Sequence, residues 1–214
     1  MSGTDGPRDW FFDTWSRFYD EAVIQRFVYR PVHDAVLSEL RSERPARVLD
    51  LGCGTGLLTE RLRRELEIAH VTGADFSAGM LQQAARRRHD IDWVRASALA
   101  LPFADSSFDA ITSTEAFHWF PDQAAALREC RRVLAPGGRL LVALVNPDFE
   151  LIGTVTQLLS RVAGQPFYWP TAMEMRTMLE AAGLAVDSQR RLFRLFAGLL
   201  LPPVLSVARK AVIR

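Results

Sequence analysis

Three glycines at alternate positions follow a short apolar run and precede a helical pattern, in the segment Val48-Leu-Asp-Leu-Gly-Cys-Gly-Thr-Gly56. The apolar run is typical of a buried strand, and glycines directly after it let the chain turn sharply and let a ligand approach the backbone. The spacing is G-x-G-x-G, whereas the dinucleotide-binding fingerprint is G-x-G-x-x-G, and Leu57 stands where that last glycine would be. A pyrophosphate needs the N-terminus of a helix aimed at it. The segment therefore favours a ligand without a diphosphate.

Two acidic residues accompany the glycine segment. Asp75 ends the next apolar run, 19 residues after Gly56, and an acid near this spacing accepts hydrogen bonds from ribose hydroxyls in nucleotide-binding α/β folds. Asp50 lies inside the segment and could orient the loop or a positively charged group of the ligand. This pattern predicts a ligand that has a ribose and no diphosphate. The alternative is a glycine turn that only packs a helix on a strand.

Strand and helix patterns alternate along the rest of the chain, which predicts a mainly parallel sheet covered by helices on both faces. Ligands of such sheets bind at the carboxyl ends of the strands. About eight residues, 196–203, join the last two strands. This link is too short for a parallel crossover, so an antiparallel hairpin is expected at one edge. The predicted strands are 47–51, 70–75, 91–96, 109–114, 139–145, 185–195 and 204–211, and the predicted helices are two within 8–40, then 55–67, 77–88, 122–134, 150–163 and 171–182.

Composition limits the class of protein. The 214 residues are 49% apolar and carry a net charge of +1, which predicts one globular domain without a global field for nucleic acid or anionic lipid. The longest apolar run, residues 196–208, is broken by Pro202-Pro203 and is too short to span a bilayer. The N-terminus shows no signal-peptide pattern, so a cytoplasmic protein is expected. Lys210 is the only lysine, which nearly excludes lysine chemistry.

Four segments together resemble the class I S-adenosylmethionine-dependent methyltransferases. Residues 48–56 resemble the first motif of that family, and Gly73-Ala-Asp-Phe-Ser-Ala-Gly-Met-Leu81 is similar to its second-strand motif. Residues 101–109 resemble its L-P-F-x-x-x-x-F-D segment, and residues 132–139 resemble its R-V-L-x-P-G-G turn. The resemblance runs over about residues 16–145 and is strongest to the small-molecule methyltransferases akin to the ubiquinone and menaquinone biosynthesis enzymes.

The resemblance implies a Rossmann-like α/β fold. It would be a seven-stranded, mainly parallel sheet with an antiparallel last strand between strands five and six, helices on both faces and an N-terminal helical lid. Residues 1–214 would form a single domain, with the lid at 1–40, the cofactor-binding core at 41–145 and a substrate-side cap and sheet edge at 146–214. The implied activity is methyl transfer from S-adenosyl-L-methionine, leaving S-adenosyl-L-homocysteine, to a small apolar or aromatic metabolite without a metal.

The family also implies where the cofactor binds. Asp75 would take the ribose hydroxyls, the backbone of residues 52–54 would line the methionine part, Phe76 and Met80 would pack on adenine, and Ala98 and Leu99 would meet the adenine edge. Tyr19 belongs to an N-terminal W-x-x-x-Y-D segment whose tyrosine often reaches the cofactor. The implied cofactor-binding residues are Tyr19, Asp50, Gly52, Cys53, Gly54, Gly56, Asp75, Phe76, Met80, Ser97, Ala98, Leu99 and Thr114.

The segment after the fourth strand contains the candidate catalytic residues. His118 could remove a proton from the acceptor, and Glu115 could orient the cofactor amino group or His118. The alternatives are that His118 and Trp119 only close the turn and pack over the sheet edge, and that Glu115 lies in a solvated turn. Residues 114–117 stand where methyltransferases of exocyclic nucleobase amines carry N/D-P-P-Y/F, which argues against a nucleic-acid substrate. Aromatic residues of the lid, turn and cap could form the substrate walls: Trp15, Phe117, Trp119, Phe167, Tyr168 and Trp169.

Two other functions compete with methyl transfer. A catalytically silent S-adenosylmethionine-binding subunit or sensor would keep the glycine segment, and a nicotinamide oxidoreductase would use a similar sheet. The G-x-G-x-G spacing argues against the oxidoreductase. A small-molecule substrate, no stable membrane insertion, and a monomer or homodimer are expected.

Ser97 stands where the family usually has an acid that accepts a hydrogen bond from the adenine amino group. A serine hydroxyl can still accept this bond, but without charge assistance. Ser97→Asp should therefore tighten cofactor binding by on the order of 1 kcal/mol, measured by calorimetry with S-adenosylmethionine. An unchanged affinity would contradict this expectation.

Overall fold

The computed structural model describes residues 29–66, 68–145, 168–192 and 203–212. Strands and helices alternate through most of this part of the chain, as the apolar pattern predicts. The strands are β1 (Arg47–Leu51), β2 (His70–Asp75), β3 (Asp92–Arg95), β4 (Phe108–Thr114), β5 (Leu134–Val145), β6 (Leu184–Arg191) and β7 (Pro203–Lys210). The helices are α1 (Arg30–Glu43), α2 (Leu57–Glu65), α3 (Ala78–Arg87), α4 (Gln123–Val133) and α5 (Ala172–Ala181), with a short 3₁₀ turn at Phe117–Trp119.

The seven strands form one sheet in the order β3-β2-β1-β4-β5-β7-β6. The first five strands pair in parallel, whereas β7 runs antiparallel to both of its neighbours, β5 and β6. The expected fold class is therefore confirmed, including the antiparallel last strand between the fifth and sixth. The carboxyl ends of β1 to β4 meet at one edge of the sheet, because these strands are parallel neighbours.

Both faces of the sheet are buried, which explains why the central strands read as continuous apolar runs. Successive residues of a strand point to opposite faces. Val48 accordingly packs in one cluster with Val36 of α1 and Leu62 of α2. Leu49 packs in the other cluster with residues of α4 such as Leu127. The glycine segment leaves β1 between these two helical layers.

β5 begins earlier than the sequence predicts. Residues 136–138 were expected to end a helix as a turn before a strand at 139, but α4 stops at Val133 and β5 starts at Leu134. Phe108 pairs with Leu134 and Ala110 with Arg139, so the extra residues bulge out of the ladder. Gly137 has a φ of +77°, a conformation that glycine adopts without strain and that makes this bulge possible.

Side-chain caps fix several helix starts. Ser77 Oγ accepts a hydrogen bond from Met80 N, as its sequence position predicts, and Asp122 accepts one from Ala125 N. Thr171 and Glu174 form a reciprocal capping box at the start of α5. These caps place the helix starts next to the loops at the carboxyl edge of the sheet.

Some sequence predictions lie outside the described residues. Of the two helices expected within residues 8–40, only Arg30–Glu43 falls in the described part of the chain, and the helix expected at 150–163 falls outside it. The lid at 1–40 is therefore described only from residue 29 onward. Among the described residues, no helix is both long enough and apolar enough to cross a membrane.

Trp93 on β3 lies across the neighbouring strand. A Cβ built on Gly73 of β2 or on Gly56 at the start of α2 would overlap the indole ring. The indole N–H of Trp93 donates to the carbonyl oxygen of Arg88 at 2.9 Å, which fixes the ring in this position. These two glycines are therefore required by Trp93, which packs where their side chains would be.

This contact can be tested by a double-mutant cycle. Gly73→Ala should lower the free energy of unfolding by about 1–3 kcal/mol, because the new methyl group overlaps the indole. In a Trp93→Leu background the same change should cost much less, since the smaller side chain leaves room. Denaturant unfolding of the four proteins measures the coupling. Equal costs of Gly73→Ala in both backgrounds would show that Trp93 does not impose the glycine.

Candidate functional site

The glycine loop, residues 52–56, is held by the end of β2. Gly52 N and Cys53 N both donate to the carbonyl oxygen of Ala74, at 2.7 and 3.1 Å. Gly54 N donates to Asp75 Oδ2 at 2.9 Å. The loop conformation is thus set by three hydrogen bonds from consecutive backbone N–H groups.

Asp75 links the two halves of this edge. Its Oδ2 accepts from Gly54 N, and its Oδ1 accepts from Ser77 N at 2.8 Å. Each carboxylate oxygen has more than one lone pair, so both oxygens can still accept hydrogen bonds from a ligand. Burial raises the pKa of Asp75, and the backbone N–H groups of Ser77 and Gly54 act in the opposite direction.

Two glycines of the loop have different surroundings. A Cβ on Gly52 would overlap the Cβ of Ala116, because the segment after β4 packs directly on the loop. A Cβ on Gly54 would meet no atom of the described residues within 4 Å. No described side chain therefore covers the backbone of Gly54, as expected for a residue against which a ligand lies.

Asp50 faces the interior. The residue is only 1% exposed, and its carboxylate accepts from Thr59 Oγ1 at 2.6 Å and from Thr112 Oγ1 at 3.1 Å. Burial raises its pKa to about 6, although the two threonine hydroxyls favour the charged form. These bonds join β1 to α2 and β4, so Asp50 supports the loop from below.

The loop from β3 to β4, residues 96–107, carries the candidate adenine-edge residues. Ser97 is exposed, and its Oγ accepts a hydrogen bond from Leu99 N at 3.2 Å. Ala100 N donates to the carbonyl oxygen of Ser97 at 3.1 Å, which closes a tight turn. Ala98 is buried and Leu99 half-buried. On the adjoining helix start, Phe76 is half-buried and Met80 is buried, with 5% of its surface exposed.

The segment after β4 turns sharply at Glu115. This residue has a φ of +50°, a conformation that side-chain-bearing residues adopt at a cost of roughly 1 kcal/mol. Its backbone N–H donates to the carbonyl oxygen of Ala143 on β5 at 2.8 Å, which holds the turn. Thr114 and Glu115 are half-buried, whereas Phe117 is 1% exposed and packs in the core. Of the residues expected to face the substrate here, Trp119 keeps a partly exposed surface.

His118 lies beneath aromatic rings. Its ring centroid is 5.1 Å from that of Trp119 and 5.5 Å from that of Trp169, and the residue is 6% exposed. Its Nδ1 has no hydrogen-bond partner among the described residues. Burial lowers the pKa of His118 to about 3. The imidazole is therefore neutral at physiological pH and is a weaker base than a solvated histidine.

Residues far apart in sequence come together around His118. Tyr168 N donates to the carbonyl oxygen of His118 at 2.9 Å. Gln123 Nε2 donates to the carbonyl oxygens of Phe117 and Tyr168, at 3.2 and 2.8 Å. The phenol of Tyr168 donates to Glu174 Oε1 at 2.6 Å. From the sequence, Tyr168 and Trp169 were predicted on the substrate side. Gln123 was not predicted, because a glutamine at a helix start carries no distinctive signal.

Several expected residues cannot be placed. Tyr19 and Trp15 of the lid and Phe167 of the cap lie outside the described residues. Within the described ranges, no group of three or more His, Cys, Asp or Glu side chains could hold a metal ion. A cavity of about 220 Å³ lies at the opposite edge of the sheet, lined by residues such as Asp109 and Arg139. It is separate from the glycine loop, because these residues stand at the amino ends of β4 and of the paired part of β5.

Sequence comparison with known proteins identifies the family. The model of a methyltransferase domain family matches residues 49–142. A demethylmenaquinone methyltransferase of Thermus thermophilus is 38% identical over 166 residues, which cover 66% of this chain and 76% of the relative. The chain belongs to the S-adenosylmethionine-dependent methyltransferases.

Two further comparisons show how far the likeness to other methyltransferases extends. A malonyl-[acyl-carrier protein] O-methyltransferase of Halorhodospira halophila is 39% identical over 145 residues, or 64% of this chain, but the chain spans only 47% of that relative. The methyltransferase solved in complex with the Haloferax volcanii Trm112 methyltransferase activator has the same fold. Its TM-score is 0.74 at 24% identity, covering 94% of this chain and 97% of the other.

The burial of His118 in this methyltransferase predicts a pH-dependent stability. Its pKa is lowered from 6.5 to about 3 by folding. As the pH falls, His118 is protonated in the unfolded chain at a higher pH than in the folded chain. The free energy of unfolding therefore decreases as the pH falls below about 6.5. Between pH 7 and pH 4.5, the wild type should lose about 3 kcal/mol of unfolding free energy more than His118→Phe does. Denaturant unfolding at several pH values gives both curves. Parallel curves would show that the imidazole does not titrate as its burial predicts.

Proposed function

We propose that this chain transfers the methyl group of S-adenosylmethionine to a small apolar or aromatic metabolite. The observation that carries the proposal is the juxtaposition of a polar and an aromatic surface at one edge of the sheet. Asp75 and the open backbone at Gly54 form the polar side. The aromatic side is the segment after β4, where the ring of Phe120 lies 3.9 Å from the position of a Cβ on Gly52.

The residues of this edge fit the cofactor. Asp75 has two oxygens that can accept from ribose hydroxyls while they hold the loop. The space over Gly54 suits a ligand part that lies against the backbone. Ala98 and Leu99, in the tight turn that follows β3, would contact the edge of the adenine ring. Phe76 would pack on the base, whereas the buried Met80 and Asp50 would act from behind these contacts.

Methyl transfer from this cofactor requires the protein to position the acceptor rather than to supply a reactive group. When bound, S-adenosylmethionine supplies a methyl group that is already activated by its positive sulfur. The residues of the chain need to hold an acceptor in line with that group, within about 3–3.5 Å, and to exclude water. Trp119 and Trp169 offer aromatic surface for an apolar acceptor, and an aromatic face also attracts a cation.

His118 remains a candidate base. Its imidazole is neutral, so it can accept a proton, but the low pKa of about 3 makes the transfer unfavourable from an acceptor with a much higher pKa. The proposed methyl transfer does not need His118 as the base when the acceptor binds as an anion that has already lost its proton to solvent. Comparing the turnover and pH profile of His118→Phe with the wild type tests the role, since unchanged values exclude it.

The relatives narrow the acceptor class. The Thermus relative is a demethylmenaquinone methyltransferase, and the Halorhodospira relative is a malonyl-[acyl-carrier protein] O-methyltransferase. The alignment with this chain covers 76% of the Thermus relative but only 47% of the Halorhodospira relative. A quinone-like, apolar and aromatic acceptor agrees with the tryptophans beside His118. The net charge of +1 gives the chain no overall positive field that would favour a nucleic acid.

A catalytically silent S-adenosylmethionine-binding subunit is the second candidate. It is favoured by Ser97, whose hydroxyl accepts from Leu99 N and brings no charge to the adenine edge. The two candidates differ in turnover. Transfer of a labelled methyl group from S-adenosylmethionine into quinones or a metabolite extract supports the enzyme, whereas tight binding without transfer supports the silent subunit.

Asp75→Ala tests the cofactor site. Losing a buried carboxylate that accepts from ribose hydroxyls should weaken binding of S-adenosylhomocysteine by about 3 kcal/mol, roughly a hundredfold. Calorimetry measures the affinity, and the exposed Asp92→Ala on the neighbouring strand is the matched control, expected to bind like the wild type. If Asp75→Ala binds as tightly as Asp92→Ala, the site assignment is wrong.

A further inference from the structure

Two side chains of α4 hold the loop between β3 and β4. Glu129 and Arg132 are both half-buried, and each bonds to the backbone of residues 101–103. This part of the loop has no helix or strand of its own. Its conformation therefore depends on these contacts rather than on a regular backbone ladder.

Arg132 uses every N–H group of its guanidinium. Nε and Nη2 donate to the two carboxylate oxygens of Glu129, at 2.7 and 2.8 Å. Nη2 also donates to the carbonyl oxygen of Leu101 at 2.9 Å, and Nη1 donates to that of Phe103 at 2.7 Å. The last donor reaches Asp105 Oδ1 at 2.8 Å. A guanidinium has five donors in a planar fork, an arrangement that a lysine cannot reproduce.

Glu129 completes the contact from the other side. Its Oε2 accepts from Leu101 N at 2.8 Å, so both backbone polar groups of Leu101 are bound by α4. The adjacent arginine lowers the pKa of Glu129, which stays charged. Glu129 and Arg132 have side-chain exposures of 21% and 31%, so water screens their bidentate pair only in part. The pair with Asp105, whose side chain is 77% exposed, adds little.

The clamped residues adjoin the candidate adenine edge. Leu101 follows the tight turn of residues 97–100 directly, and a shift at Leu101 would be passed to Ala98 and Leu99 through that turn. We propose that Glu129 and Arg132 are positioning residues for the adenine of the bound cofactor. This inference rests on the proposed function, because it needs the cofactor at the carboxyl edge of the sheet. Neither residue needs to touch the cofactor itself.

The test compares two ligands that differ only in the base. S-adenosylhomocysteine and S-inosylhomocysteine share the ribose and amino acid, so the ratio of their affinities reports how well the protein reads the adenine edge. Arg132→Lys keeps the charge but loses the planar five-donor fork, and Arg128→Lys on the exposed side of the same helix is the matched control. Arg132→Lys should weaken S-adenosylhomocysteine about tenfold and bring the affinity ratio towards one, while Arg128→Lys should bind both ligands like the wild type.

Glu129→Gln provides a milder second variant. Its amide oxygen can still accept from Leu101 N, but the charged pair with Arg132 is lost, so about a threefold weakening and a partial loss of the ratio are expected. This variant decides the matter if Arg132→Lys does not fold. Thermal unfolding of each variant sets a binding temperature at which the protein is fully folded.

The outcomes separate this inference from the function on which it rests. If the wild type binds neither ligand, the proposed function fails and the inference fails with it. If the wild type binds and the variants keep both its affinity and its ratio, only the inference is wrong. Equal weakening of both ligands would also overturn it, since a general loss of structure does not select between adenine and hypoxanthine.

Discussion

The carboxylate of Asp75 is the contact on which the functional edge depends. It receives Gly54 N–H from the loop after β1 and Ser77 N–H from the start of α3, and so joins two loops that leave neighbouring strands. Without this acceptor, two partly buried backbone donors would lose their partner, at a cost of roughly 1 kcal/mol each. The same oxygens are the ones that a ribose would use. In the proposed cofactor site, one side chain would therefore set both the loop conformation and the recognition of the ribose.

A second buried carboxylate lies behind the first. Asp50 is bound by two threonine hydroxyls, and burial raises its pKa to about 6, with the nearby charge of Asp75 acting in the same direction. Placing two acids at one strand edge is unfavourable for the folded chain by itself. The two carboxylates form a region rich in hydrogen-bond acceptors behind the glycine loop, in which Gly54 has no side chain. On the opposite side, the neutral His118 and its two tryptophans form an apolar wall. The proposed transfer of a methyl group to an apolar acceptor would use these two kinds of surface side by side.

The predictions that succeeded rest on local patterns. The buried strand before the glycines, the helix cap at Ser77 and the antiparallel hairpin all follow from neighbours in sequence, and the structure has each of them. The predictions that the structure changed involve distant partners. Residues 136–138 look like a turn, but pairing with β4 makes them a bulge in β5. At Gly56, only the fold shows that Trp93, from a strand two positions away in the sheet, packs where a side chain would be.

The sequence by itself determined the family and the order of strands and helices in the described part of the chain, because each is written in short continuous segments. It also predicts Asp75 as the ribose acceptor. Tertiary structure alone decided that Asp50 faces two threonines, that His118 is buried under Trp169, and that Arg132 binds the loop after β3. Among them, the contact of Asp50 with Thr112 joins residues 62 positions apart, and that of Arg132 with Leu101 joins residues 31 positions apart. No periodicity or spacing records such pairs, since they exist only once the strands have paired and the helices have packed on the sheet.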